Sequence, residues 1–219
     1  MNFYLATSND HKITEFRRLL ADRGLTGISV RGAAELGGMP PVAETASGFA
    51  GNARLKARAL RERAGRRGWV LADDSGLEVD ALAGAPGVRS ARYAGENASD
   101  PENNARLLRE LEGVSPECRT ARFRCCLVLI SPDAEEFVFE GSCEGRIAEE
   151  ASGTAGFGYD PLFVPEGRNA TFAALRREEK DRLSHRARAW EKLAAWLEKR
   201  SIIGRDDAET KRSHGRPEE

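Results

Sequence analysis

The stretch LADDSGLEVDALAGAPGVRSARYAG, residues 71–95, is the part of the chain on which the fold prediction is built. An apolar run, residues 69–72, leads into two adjacent carboxylates, Asp73 and Asp74, and then into Ser75 and Gly76. An apolar run that ends in acids and Ser-Gly predicts a strand that delivers carboxylates to the edge of a sheet. Such a pair can supply oxygen ligands for Mg²⁺ and a base for a water molecule. Asp-Asp-Ser-Gly is also good turn chemistry, and for these four residues alone we favour a turn.

The composition places the chain among ordinary water-soluble α/β proteins. Its 219 residues are enough for one domain with a substantial core and room for two lobes. The net charge of −1 gives no indication of a nucleic-acid or membrane partner. The start of the chain turns polar too early for a signal peptide, and no apolar run reaches the roughly 20 residues of a membrane helix. None of the four cysteines has CxxC spacing, so we expect reduced thiols in a cytoplasmic protein.

The first 20 residues predict a strand, a polar loop and a helix. The strand covers residues 3–6, and the helix carries one apolar stripe, made by Ile13, Phe16 and Leu20. Between them, Thr7, Ser8 and Asn9 add side-chain donors to a helix start that is itself suited to an anion, and Lys12 lies one turn in. Ser8 or Asn9 could equally cap the helix, which is compatible with phosphate binding.

A second strand–loop–helix unit follows. We predict a strand at residues 28–30, a loop at 32–45 that ends around Glu44, and a helix from a cap at Ser47 to about residue 64. Asn52 and Lys56 lie four residues apart, beside the apolar stripe of this helix, and so share a face. By itself, Lys56 is interpreted as one more solvated cation. Because only six of the 34 basic residues are lysines, a lysine can also mark a position where an ammonium group is required.

The second half of the chain is richer in consecutive strands. We predict a helix that starts with Asp100 as its cap, a hairpin of strands 120–130 and 136–140, a further strand at 142–147, and a short strand at 161–165. Residues 171–175 and 176–200 are predicted as helical, and 201–219 as a loose polar tail without a chemical role. Alternating units followed by antiparallel strands predict a mixed sheet or a second lobe.

Five sequence blocks, in this order, resemble the inosine triphosphate pyrophosphatase family, whose members hydrolyse non-standard purine nucleoside triphosphates. The blocks are ATSNDHKITEF, ETASGFAGNARLKA, LADDSGLEVDALAGAPGVRSARYAGE, GFGYDPLFVPEG and EEKDRLSHRARA. The resemblance covers residues 3–197 and changes our interpretation of Asp73 and Asp74 from a turn alone to a turn that also serves a site.

The resemblance implies a role for each matching residue. It makes Asp74 the proton acceptor and a metal ligand together with Glu44, with Asp73 in support of the metal. The positions that match substrate contacts are Thr7, Asn9 and Lys12 (with Ser8 beside them), Lys56, Ser75, Phe157, Gly158, Tyr159, Asp160, Lys180, Ser184, His185 and Arg186. Taken singly, His185 could be a core or interface histidine, Tyr159 a packing residue and Arg186 a solvated helix residue.

The resemblance further implies an α/β fold in which helices flank a mixed central β-sheet, with a nucleotide cleft between two lobes of one domain, residues 1–200. It implies a Mg²⁺-dependent hydrolase, a homodimer, that converts ITP, dITP and XTP to the monophosphate and pyrophosphate. The alternative that we carry is a nucleotide-binding sensor or scavenger without useful turnover.

Overall fold

The computed structural model describes residues 1–25 and 27–213, with only the backbone described for residues 10, 11 and 201–213. Six strands form one sheet in the order β2-β1-β3-β4-β5-β6. Their bounds are Asn2–Leu5 (β1), Ser29–Gly32 (β2), Trp69–Val79 (β3), Thr120–Ile130 (β4), Glu136–Ile147 (β5) and Phe163–Pro165 (β6). Strand β1 is parallel to β2 and β3, and the pairs from β3 to β6 are antiparallel. The predicted α/β fold with a mixed sheet is confirmed.

Strand β3 continues through the acidic segment without a turn. Its pairing with β1 ends at Leu5 opposite Leu71, whereas its pairing with β4 continues to Val79. The turn that we expected at residues 73–76 is therefore wrong, because β4 offers backbone partners along this whole segment. Between Leu71 and Leu77, the β1 side of β3 has no strand partner among the described residues, so the two acids lie at an open edge. From Leu77 onward, the 85–90 segment covers this edge.

The helices cover both faces of the sheet. They are α1 (Asp10–Asp22), α2 (Phe49–Ala64), α3 (Asp100–Glu110), α4 (Arg177–Leu183) and α5 (His185–Ser213). Helices α1 and α5 pack on one face, and the predicted stripe of α1 is buried there with Trp190 and Leu193. Helix α2 packs on the other face through Phe49, Ala53, Ala57 and Leu60. The sheet thus separates two cores, as its alternation of side chains requires.

A third buried cluster forms at the far end of the long strands. It joins Leu77 of β3, Phe123 of β4 and Leu107 of α3 to Phe163 and Phe172. The division of the domain into two lobes stays a prediction. Strands β3, β4 and β5 contribute side chains both to this third cluster and to the core beneath α1 and α5, so one continuous sheet supports both.

Several predicted boundaries are wrong in detail. Gly48, not Ser47, is the N-cap of α2, and Asn52 Oδ1 instead accepts a hydrogen bond from the backbone N–H of Ala46 (3.0 Å). Ser99, not Asp100, caps α3 and pairs with Glu102 in a capping box. Residues 142–147 belong to a single strand with 136–140.

The C-terminal helical region also differs from the prediction. Residues 171–175 form turns, and the helix predicted over 176–200 is interrupted at Ser184, whose backbone is extended. Helix α5 continues to Ser213, past its predicted end at residue 200. The prediction of a loose polar tail without a chemical role at 201–219 stays a prediction, because residues 214–219 and the side chains of 201–213 lie outside the described residues. Within the described chain, no helix is both long enough and apolar enough to cross a bilayer.

Candidate functional site

A cleft of about 910 Å³ lies between the start of α1, the middle of β3 and β4, and the segments around 155–160 and 177–186. Most of the predicted site residues line it: Thr7, Asn9, Lys12, Ser75, Phe157, Gly158, Tyr159, Asp160, Lys180, Ser184, His185 and Arg186. Ser8 is exposed beside them. Residues that come from four of the five sequence blocks therefore meet around one space, and Glu44 and Lys56 of the remaining block do not line it.

A buried carboxylate, Asp73, ties two of the cleft's cations together. Lys12 Nζ lies 2.9 Å from Asp73 Oδ2, and Arg186 Nε donates to the same oxygen at 3.2 Å. Ser75 donates its hydroxyl hydrogen to Asp73 Oδ1. Burial opposes the charge of Asp73, but these cations and donors outweigh it and hold the pKa of Asp73 well below its usual range. Asp73 is therefore the ionised partner of Lys12 and Arg186.

The start of α1 is built to receive an anion. Thr7 Oγ1 accepts from the Asn9 N–H (3.1 Å), and Asn9 Oδ1 accepts from the Lys12 N–H (3.4 Å), so Asn9 caps the helix. Asn9 and Lys12, at the start of the helix, line the cleft, so the positive end of the helix dipole lies at its wall. Capping and anion binding coexist here.

The second acid, Asp74, belongs to a cluster on the other face of β3. Lys56 Nζ of α2 lies 2.5 Å from Asp74 Oδ1 and 3.8 Å from Glu44 Oε1. On the far side of Glu44, Arg92 Nη2 lies 3.9 Å from Oε2. Burial raises the pKa of Asp74, against the opposing effect of Lys56. A carboxyl whose pKa is raised in this way is better suited to accept a proton near neutral pH than an ordinary one.

The Asp74 cluster fits a hard cation. Asp74 Oδ2 is buried and has no hydrogen-bond partner among the described residues, so one oxygen is available to a ligand. Glu44, tied to the same lysine, adds carboxylate oxygens of the type that Mg²⁺ prefers. In the described part of the chain, no group of three or more His, Cys, Asp or Glu side chains could hold a metal alone. Two carboxylates completed by phosphate oxygens and water are a usual Mg²⁺ site.

At the other end of the cleft, Phe157 presents an aromatic face. Its side chain is 49% exposed, which is unusual for a large apolar residue in this chain. The Arg186 guanidinium lies 5.0 Å and Lys180 Nζ 5.5 Å from the ring centroid. Asp160 fixes the segment, because its Oδ2 accepts from the Phe157 N–H (2.8 Å) and pairs with Lys180. The exposed ring flanked by cations is a platform for a planar, electron-rich group.

His185 and Tyr159 are both buried at this end. The His185 ring is stacked on Phe123, with centroids 4.7 Å apart, and its Nδ1 has no hydrogen-bond partner in the described part of the chain. Burial, followed by the nearby Arg186 charge, lowers the pKa of His185 well below its usual value. A neutral imidazole can both donate and accept a hydrogen bond. Tyr159 donates its hydroxyl hydrogen to Ser90 O (2.8 Å), so it contributes to packing as well as lining the cleft.

The structure adds contacts that the sequence did not suggest. Ser184 accepts from the Ala187 N–H (3.1 Å) and so caps α5, besides lining the cleft. Arg18 of α1 and Asp181 of α4 pair at 2.7 Å at the rim. Asp100 also reaches the cleft, although its position before Pro101 signalled only a helix start.

Comparisons with known proteins identify the family of the chain. A family model described as the Ham1 family matches residues 3–196. A protein of Opitutus terrae named dITP/XTP pyrophosphatase is 50% identical over 199 residues, which are 90% of this chain and 98% of that protein. A Halalkalibacterium halodurans protein of the same name is 47% identical over 194 residues, 89% of this chain and 97% of that one. The solved structure of the Staphylococcus aureus Ham1 protein is 41% identical, with a TM-score of 0.82, and the match covers 91% of this chain and 100% of that one.

Proposed function

The chain belongs to the Ham1 family, and from that premise we propose that it hydrolyses dITP, ITP and XTP to the nucleoside monophosphate and pyrophosphate. The curated relatives that match most of its length are named dITP/XTP pyrophosphatases. The protein is thus a hydrolase of nucleoside triphosphates, and the expected resemblance is confirmed. The roles of individual residues below are our proposal.

One observation carries the mechanistic part of the proposal. The buried Asp74 carboxylate has an oxygen without a described partner, beside Lys56 and Glu44, on the strand that presents Ser75 to the cleft. Because this segment of β3 is an open edge, one strand can serve a substrate from the cleft and an acidic cluster on the opposite face.

The cations of the site match the charge of the substrate. A nucleoside triphosphate carries about four negative charges near neutral pH, and such charges are bound by Lys, Arg and backbone N–H groups. Lys12 and the start of α1 supply this on the cleft side, and Lys56 supplies it beside Asp74. Substrate phosphates would compete with Asp73 and Asp74 for these ammonium groups.

Glu44 and Asp74 are the proposed Mg²⁺ ligands. Mg²⁺ bound there would neutralise negative charge on the phosphates and make the phosphorus more open to attack. Asp73 was expected to support the metal, but its carboxylate is engaged by Lys12 and Arg186 on the other face. Its contacts favour a counter-ion for the substrate-binding cations.

Asp74 is the proposed proton acceptor. A water molecule attacks the α-phosphorus in line with the bridging oxygen of the β-phosphate. The new P–O bond forms, the bond to the bridging oxygen breaks, and pyrophosphate leaves with the electron pair. The proton of the water passes to the Asp74 carboxylate. Lys56 stabilises the negative charge that develops next to it.

Purine selection is assigned to the Phe157 end of the cleft. The base stacks on the exposed ring, which stabilises binding by about 1–3 kcal/mol for stacking of this kind. A 6-oxo purine needs a donor at O6 and an acceptor for the ring N1–H. Asp160, the neutral His185 and Arg186 are the candidates, since a site that hydrogen-bonds a group rejects an analogue that lacks it.

The test is a substrate panel. The purified chain is incubated with Mg²⁺ and ITP, dITP, XTP, ATP or GTP, and the monophosphate and pyrophosphate are quantified. We expect both products from the first three substrates and little from ATP, which has neither O6 nor an N1–H. GTP shares both groups with ITP, so its turnover reports how the site treats a 2-amino group. If the α–β bond stays intact in every substrate, the protein is not a pyrophosphatase, and the alternative of a nucleotide-binding sensor or scavenger remains. If ATP is hydrolysed as fast as ITP, the proposed purine specificity is wrong.

A homodimer in the cytoplasm is also part of the proposal, on the strength of the resemblance. Size-exclusion chromatography coupled to light scattering should give twice the mass of one chain across a range of protein concentrations. A mass equal to one chain throughout would exclude the dimer.

A further inference from the structure

Side chains of helix α3 form hydrogen bonds to both backbone polar groups, the N–H and the carbonyl, of Gly158, which lines the cleft. Asp100 Oδ2 accepts a hydrogen bond from the Gly158 N–H at 2.6 Å, and Asn104 Nδ2 donates to the Gly158 carbonyl at 3.0 Å. Asp100 and Asn104 are four residues apart and so share a face of the helix. A single helix face therefore brackets the backbone of the residue that follows Phe157.

The helix that provides this bracket is firmly anchored. Leu107 is fully buried in the third hydrophobic cluster, with Leu77 and Phe123. Asn103, the neighbour of Asn104, is buried and bonds to the backbone of residues 91 and 94 (3.2 and 2.7 Å). The bracket thus connects the cleft wall to a rigid part of the protein.

The orientation of the Asn104 amide is defined by this contact. Its Oδ1 is buried and without a hydrogen-bond partner in the described part of the chain, whereas its Nδ2 donates to the Gly158 carbonyl. A reversed amide would place two oxygens against each other. Asn104 therefore donates to Gly158 while its own Oδ1 stays unsatisfied. A buried unsatisfied oxygen costs free energy, and packing alone does not explain why an amide is present here.

The segment needs an external support. Gly158 has a φ of +62°, a conformation that favours glycine, and glycine restricts its backbone less than other residues do. Phe157, next to it, has a half-exposed ring, with its own N–H held by Asp160. The peptide N–H groups on either side of Phe157 are therefore each held by a carboxylate, while about half of the ring stays exposed.

We infer that Asp100 and Asn104 are positioning residues that hold the Phe157–Gly158 backbone, and through it the ring on which the purine base stacks. The inference rests on the proposed function, since it concerns the base end of the same site. Because the ring is already ordered before the nucleotide binds, binding does not carry the entropic cost of ordering it, and the affinity is higher. The bracket therefore acts on nucleotide affinity and leaves the reacting phosphates untouched.

Substitutions at the two residues test the inference by separating KM from kcat. In Asn104→Leu and Asp100→Ala, we expect the KM for dITP to rise about tenfold and kcat to stay within about twofold. Asp100→Asn keeps an acceptor for the Gly158 N–H and should stay close to the unmodified protein. Arg109→Ala, an exposed change on the same helix, is the matched control. Inhibition by inorganic tripolyphosphate, which lacks a base, should be equal in all five proteins.

A double-mutant cycle with Phe157→Ala gives the decisive outcome. Once the ring is removed, Asn104→Leu should raise KM no further. An equal rise in both backgrounds, an unchanged KM in the single variants, or weaker tripolyphosphate inhibition would overturn the inference. If the unmodified protein releases no pyrophosphate, the proposed function fails, and the calorimetric affinity for dITP in the same variants still decides whether the bracket acts.

Discussion

Asp73 and Asp74 are neighbours in β3, yet their carboxylates lie on opposite faces of the sheet and have different partners. Asp73 pairs with Lys12 and Arg186 on the side of α1 and α5, and Asp74 pairs with Lys56 of α2. The alternation of side chains along a strand separates them. As a result, the cations outweigh burial and lower the pKa of Asp73, while burial raises that of Asp74. Two adjacent residues of the same type therefore have different partners and opposite pKa shifts.

The first prediction concerns Asp74. In Asp74→Asn the proton acceptor is lost, and kcat for dITP should fall by about 10²–10⁴, the usual contribution of such a group. Binding of dITP, measured by calorimetry, should persist, because the base and Lys12 contacts remain. Asp80→Asn removes an exposed carboxylate just after the same strand, so it serves as the control and should keep full activity. Near-normal turnover in Asp74→Asn would refute the role of Asp74.

The second prediction concerns the counter-ion Asp73. Asp73→Asn leaves Lys12 and Arg186 without the carboxylate that they share, and breaking such a buried pair costs about 3–5 kcal/mol of the free energy of unfolding. The double variant Asp73→Asn with Lys12→Met should recover part of this loss, because it removes one of the uncompensated charges. Urea denaturation measures both. A loss below about 1 kcal/mol in the single variant would show that the pairing does not stabilise the fold.

The third prediction concerns Gly76, where the 87–92 segment packs against β3. A Cβ at this position would lie 2.5 Å from Ser90 Oγ and 2.6 Å from the Gly87 carbonyl oxygen. Gly76→Ala should therefore lower the free energy of unfolding by about 1–3 kcal/mol, as overpacking does. At Gly27, no atom lies within 4 Å of an added Cβ, so Gly27→Ala is the control. Equal stability of the two variants would contradict the close approach.

The fourth prediction is a pH dependence of stability that originates at His185. Its pKa is depressed in the folded state, chiefly by burial, whereas the unfolded chain titrates near the usual value of about 6.5. Below that pH the unfolded state takes up a proton and the folded state does not, so stability falls as the pH falls. The slope from this one group approaches about 1.4 kcal/mol per pH unit.

His185→Gln isolates this effect, because it removes the titrating group. Urea denaturation at pH 7.5, 6.5 and 5.5 should show a shallower decline for the variant than for the unmodified protein. Parallel declines would mean that the pKa of His185 is not lowered in the folded state.

The local elements could be predicted from the sequence where apolar spacing is periodic. The stripe of Ile13, Phe16 and Leu20 predicted α1 and its buried face, and the hairpin around residues 131–133 predicted the pairing of β4 with β5. The resemblance brought together the residues of the cleft. These features depend on local pattern or on whole sequence blocks.

Features that depend on distant backbone partners could not be predicted. Residues 73–76 favour a turn locally, and only their pairing with residues 124–127 of β4 keeps them extended. The separation of Asp73 from Asp74 follows from that pairing. Asp100 appeared as a helix cap, because its actual partner, the Gly158 N–H, lies in a loop far along the chain.

The most direct test of the account is the position of the isotope after hydrolysis of dITP in ¹⁸O-labelled water. Attack by water at the α-phosphorus, with Asp74 as the proton acceptor, places one ¹⁸O atom in the deoxyinosine monophosphate and none in the pyrophosphate. Mass spectrometry of the two products after a single turnover gives the answer. Label in the pyrophosphate, or release of labelled orthophosphate, would show attack at another phosphorus and contradict the mechanism.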